Sequence, residues 1–176
     1  MGKAEVRFLS RSQNIKKERR MQRFVLGCDP GSAGGFAVMD TYDYSVSTHR
    51  MPSTFADIYD TLLEIVHNCG GSGNIVVYME QVGQGMPGQS SKATATFARH
   101  NGHLDMAFYA LGLRTEMVTP QKWQKFYSNN VGKSTGLEKT VWKNKLKAEA
   151  QRLFPQEKVT LWNADAILIA NYGAHR

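Results

Sequence analysis

This 176-residue chain is poor in cysteine, in acids and in long apolar runs. Its two cysteines, Cys28 and Cys69, lie in no spacing that suggests zinc, so a reducing cytoplasmic compartment is the expectation. The five histidines are scattered, with no pair at metal-ligand spacing, and read as structural or surface residues. No apolar stretch approaches the roughly 18 residues of a membrane span. The start of the chain lacks the hydrophobic core of a secretory signal. Its basic character leaves organelle import as the alternative to the cytoplasm, although Glu5 and Glu18 weaken it. Fifteen acids face 22 lysines and arginines, a net charge of +7 and a pI near 9.5, which favours a polyanionic partner.

The hydrophobic content of 41% and three tryptophans suit one packed domain. The positive charge is concentrated in two places. Residues 1–23 hold eight Lys/Arg against two acids, and residues 122–158 hold nine against three. Residues 1–22 read as a basic, flexible arm, and residues 23–176 as the folded domain.

Apolar periodicity and turn residues place strands at 24–29, 34–40, 44–50, 74–80 and 114–118. The Pro52-Ser53-Thr54 signal opens a helix, and others cover 91–111, a segment capped by Thr119-Pro120, 138–153 and 163–172. Trp123 and Phe126 are expected to face inward, and 128–136 to be a link. Three strands followed by alternating strands and helices predict an α/β fold, a five-stranded mixed sheet with helices on both faces.

Three acids stand where apolar runs break. Asp29 ends Phe24-Val25-Leu26-Gly27-Cys28, Glu80 ends Ile75-Val76-Val77-Tyr78-Met79, and Asp165 opens the last helix. An acid at the end of a buried strand is unfavourable unless a cation meets it, and a hard divalent ion does so well. Three converging acids read as a magnesium site for phosphodiester chemistry. Asp29 with Gly31, Gly34 and Gly35 also matches the phosphate loop of actin-like kinases, but those need two domains and over twice this length.

The order of elements and acids resembles the ribonuclease-H-like nucleases, in particular the RuvC-type Holliday junction resolvases of the bacteriophage branch. The resemblance rests on Gly27-Cys28-Asp29-Pro30-Gly31-Ser32-Ala33-Gly34-Gly35, Val77-Tyr78-Met79-Glu80-Gln81-Val82, Val118-Thr119-Pro120-Gln121-Lys122-Trp123, Leu153-Phe154-Pro155 and the stretch Ala164 to Gly173. It spans residues 23–175. It implies that Asp29, Glu80 and Asp165 bind two Mg²⁺ ions, with Mn²⁺ able to substitute. A homodimer would then cut four-way DNA junctions by paired symmetric nicks, leaving 5′-phosphate ends. The resolvases usually place a further Asp or His three or four residues before the last acid; here those positions hold Trp162 and Leu161, which cannot bind magnesium. A less selective nuclease for branched DNA or RNA–DNA hybrids is one alternative, and a non-catalytic junction binder is another.

Further DNA contacts are expected from the loop 81–89, with Gln84 and the apolar Met86 at its tip. Lys122, Lys125, Lys133, Lys139, Lys143 and Lys147 are expected to meet phosphates, since lysines at four-residue spacing repel one another unless anions lie beside them. On the helix 91–111 an apolar stripe of Phe97, Leu104, Phe108 and Leu111 offers either a dimer interface or a face for the sheet.

Overall fold

A computed structural model describes residues 22–81 and 90–176. The N-terminal arm as far as residue 21, together with Gln84 and Met86, lies outside the described residues. The strands are β1 (Phe24–Asp29), β2 (Gly35–Asp40), β3 (Val46–Arg50), β4 (Ile75–Glu80) and β5 (Arg114–Val118). The helices are α1 (Phe55–Asn68), α2 (Ser91–Ala110), α3 (Pro120–Phe126), α4 (Ser128–Val131), α5 (Lys139–Leu153) and α6 (Ala164–Ala174). The strands form one sheet in the order β3-β2-β1-β4-β5. β1, β2 and β3 are antiparallel neighbours, while β4 runs parallel to both β1 and β5. No helix among the described residues is long and apolar enough to cross a membrane.

Alternation along β1 divides the core in two. Val25 faces a core built with α3, α5 and α6, whereas Leu26 and Cys28 face one built with α1 and α2. Helix α6 is buried along its length from Ala164 to Gly173, and each of Ile167, Leu168 and Ile169 contributes about 1.5–3 kcal/mol by leaving water. It lies directly on β1 because Gly27 has no side chain. A Cβ there would stand 2.5 Å from the Ala170 nitrogen and closer still to the Ala166 carbonyl oxygen.

Helix α1 starts where expected, with the Thr54 hydroxyl accepting from the Asp57 backbone N–H at 3.1 Å. Two expectations change, and one left open is decided. The link after α3 includes α4, one turn anchored by the buried Val131. Phe126 is 40% exposed: Trp123 takes the inward side of the short helix α3, and Phe126 instead packs edge-on against Tyr127 and Tyr172. In α2, Leu104 and Phe108 are buried in the sheet core with Leu111 packed beside them. These three stripe residues therefore cover the sheet, while Phe97, half-buried, lies outside that core. Met106 and Tyr109 occupy the exposed side of α2 instead.

Candidate active site

Cys28 pairs with Met79 in the parallel register of β1 and β4, so the next residues, Asp29 and Glu80, end side by side. The row continues across the sheet. Asp29 pairs with Gly35, Gly35 with Arg50, and Glu80 with Val118. Asp29 shares its face with Val25 and Gly27, hence with α6. The close seat of α6 on Gly27 carries its first turn, with Asp165, over the end of β1.

Two further side chains complete the cluster. The Trp123 indole N–H donates to Glu80 Oε1 at 2.9 Å, across a span of 43 residues. Lys143 Nζ lies 3.3 Å from Asp165 Oδ2. Lys143 is three residues before the buried Leu146 and so stands at the margin of the inner face of α5. Asn163 stands at the N-cap of α6, but its side chain makes no capping bond. Its Oδ1 instead accepts from the Thr160 backbone N–H at 2.7 Å and from the Thr160 hydroxyl at 3.1 Å.

Burial dominates the electrostatics. It pushes the Asp29 carboxyl up to about 8, reinforced by the charges of Asp165 and Glu80 and opposed by Lys143. Glu80 is raised by burial too, with the Trp123 hydrogen bond pulling it down and Asp165 pushing it up. Burial raises Asp165 against the charge and hydrogen bond of Lys143. For Lys143 burial works to lower the ammonium, but Asp165, Asp29 and Glu80 outweigh it and hold it above its ordinary value. The three acids and the lysine act on one another as a single electrostatic unit.

Among the described residues no group of three or more His, Cys, Asp or Glu side chains lies close enough to grip a metal ion as it stands. The donor chemistry nevertheless fits a hard divalent cation: the half-buried carboxylates of Asp29 and Glu80 on one sheet row and the buried one of Asp165 on the helix above it. Lys143 supplies the positive charge at Asp165.

All three acids are raised in the folded state, so their protonation favours the fold. That contribution is complete below about pH 4 and is lost as the pH climbs through the folded values, about 8 for Asp29. The metal-free protein is expected to melt lower at about pH 8.5 than at about pH 5.5, with Mg²⁺ raising Tm more at the higher pH. Calorimetry in EDTA and in Mg²⁺ checks this; identical melting at both pH values would refute the acid cluster.

The hydrogen bond from Trp123 gives a second expectation. Trp123→Phe leaves Glu80 without its donor and should weaken Mg²⁺ binding by about tenfold, read by titration calorimetry. Unchanged affinity would show that Glu80 does not meet the ion. Neither this role of Trp123 nor the inward turn of Lys143 was expected from the sequence. The available signal was a tryptophan one turn after β5, the strand beside Glu80.

The other basic residues spread outward. Lys122, Lys125, Lys133 and Lys139 are exposed and Lys147 is half-buried on α5. They do not join the acids, and they line the surface on the side of α3 and α5.

No family model matches the chain, and no curated protein sequence matches it. The sheet order, mixed pairing and helices on both faces nonetheless make a ribonuclease-H-like fold, and solved structures share it. The structure of Thermus thermophilus RuvC superposes with a TM-score of 0.56 at 15% identity, covering 86% of this chain and 93% of that one. The T. thermophilus RuvC in complex with a Holliday junction substrate superposes with a TM-score of 0.60 at 14% identity, covering 86% and 92%. At these identities the likeness is one of fold.

Proposed function

We propose that the protein is a magnesium-dependent, structure-selective DNA endonuclease that resolves four-way junctions. The observation that carries this reading is the placing of Asp29 and Glu80 on adjacent strand ends beneath Asp165, on a RuvC-type fold. Asp29, Glu80 and Asp165 would hold the metal, with two ions the fuller complement and Mn²⁺ a substitute. Bound there, divalent cations activate water and neutralise the charge that develops on the scissile phosphate.

The chain's own residues set the conditions. The rigid strand ends fix two of the carboxylates, and Trp123 orients Glu80 through its indole N–H. Lys143, 3.3 Å from Asp165, would offer its ammonium to a phosphate oxygen at the site. The exposed lysines near α3 and α5 supply contacts to the DNA backbone, which makes binding steeply dependent on salt. Cutting both strands symmetrically calls for two copies of the site, hence a homodimer, and the exposed side of α2 with Met106 and Tyr109 is the face it would use. The phage branch of the resolvases and a cytoplasmic location belong to the same proposal.

A second reading has its own support. The Lys143–Asp165 ion pair occupies a carboxylate that a metal would need, as a junction binder without catalysis could retain. The deciding experiment is cleavage of an end-labelled synthetic four-way junction in Mg²⁺, beside a flap, an RNA–DNA hybrid and an EDTA control. Paired nicks at symmetric positions support resolution, and equal cutting of flap or hybrid supports the less selective nuclease. Tight, EDTA-independent binding without cuts would establish the binder.

A further inference from the structure

The row of residues that holds Glu80 and Asp29 does not stop at the acids. It passes through Gly35 and ends at Arg50, the last residue of the edge strand β3. Two interstrand spacings place the Arg50 backbone roughly 10 Å from that of Asp29. Val46 of β3 lies in the α6 core, so Arg50, four residues on, faces the same side as Asp29.

Gly35 stands between them, and a side chain there is not tolerated. A Cβ on Gly35 would lie 3.1 Å from the Trp162 ring and nearer still to the His49 carbonyl oxygen. Trp162 fills the space above Gly35, three residues before Asp165. The Arg50 guanidinium sits over the Trp162 ring, 5.2 Å from its centroid.

This cation has no structural debt to an acid. Arg50 is exposed, and none of the ion pairs among the described residues includes it. A guanidinium stacked on an aromatic face keeps its in-plane N–H groups free for two oxygens of one phosphate. The stacking also limits the rotamers that such a long side chain would otherwise lose on binding.

We propose that Arg50, held by Trp162 over Gly35, binds a DNA phosphate that flanks the one cut at the acids. The proposal deepens the nuclease reading and rests on it. It gives the site a fixed cation on the β3 side of the acids, while Lys143 stands on the α5 side. A strand entering the site is then gripped on either side of the scissile bond.

The test uses the full chain and a labelled four-way junction under single-turnover conditions. Arg50→Ala should reduce kcat/KM by about 10- to 100-fold and lower the salt dependence of binding by about one phosphate contact. Arg50→Lys should recover part of the loss. A second set of junctions carries one uncharged methylphosphonate near the cut. At a single flanking position this neutral group should impair the parent protein and have no further effect on Arg50→Ala.

An unaffected Arg50→Ala protein would overturn the proposal. So would losses from variant and neutral phosphate that multiply at every flanking position. If the parent protein cuts nothing, the nuclease reading fails separately, and the same pairs are read by fluorescence anisotropy. Binding losses that coincide at one phosphate keep the Arg50 site, and independent losses remove it.

Discussion

Asp29→Asn should reduce junction cleavage by about 10³-fold or more while binding of the junction stays within about threefold of the parent. Asparagine has the same shape and keeps the turn after β1, but it brings no charge to a metal. The lysines that contact the DNA backbone are untouched, so affinity survives. The same substitution should stabilise the metal-free protein at neutral pH, because it removes an acid whose ionised form burial and its neighbours disfavour. With that pKa raised to about 8, a gain of at least ~2 kcal/mol is expected, or about 4–8 °C in Tm for a chain of this size. Lost cleavage together with a higher Tm is a pairing that simple misfolding does not produce. Nicking at the parent rate would remove Asp29 from the site.

Gly27→Ala should have the largest effect on folding of any single methyl group added to the sheet. Two backbone atoms of α6, the Ala166 oxygen and the Ala170 nitrogen, occupy the space that the methyl would need. Neither can rotate away as a side-chain tip would, so α6 must lift from β1. A loss of about 3 kcal/mol or more is expected in urea denaturation, with any folded remainder inactive because Asp165 rides on the displaced helix. Gly73→Ala is the control, since nothing lies within 4 Å of its Cβ position. If Gly27→Ala unfolds at the parent's urea concentration, the seating of α6 described above is wrong.

The strands and the three acids were legible because their signals are local. Asp29 and Glu80 each end an apolar run, and the sheet then aligns them through nothing more than register. The five-stranded mixed sheet with helices on both faces followed from the order of elements. What escaped depends on the rotational phase of helices against the sheet. Lys143 looked like one member of an outward lysine stripe, yet Leu146 turns its part of α5 toward the core. Phe126 looked as apolar as Trp123, but a seven-residue helix has room for one large inward side chain, and Trp123 takes it. The α2 stripe suited a partner or the sheet equally well, and only the fold selects the sheet. Arg50 and Trp162 lie 112 positions apart, and no sequence periodicity joins them.

Cys28 points away from its neighbour Asp29, into the core beneath α1 and α2, and its side chain is fully enclosed. Burial, followed by the charges of Asp29 and Glu80, pushes its thiol well above the ordinary range, so the reactive thiolate is scarce while β1 is seated. An alkylating reagent can therefore reach this sulfur only in the moments when α1 or α2 lifts from the sheet or β1 itself comes free. The protein thus carries its own clock for the opening of the layer beneath its principal acid. Cys69, just past the end of α1, keeps separate time for another part of the fold.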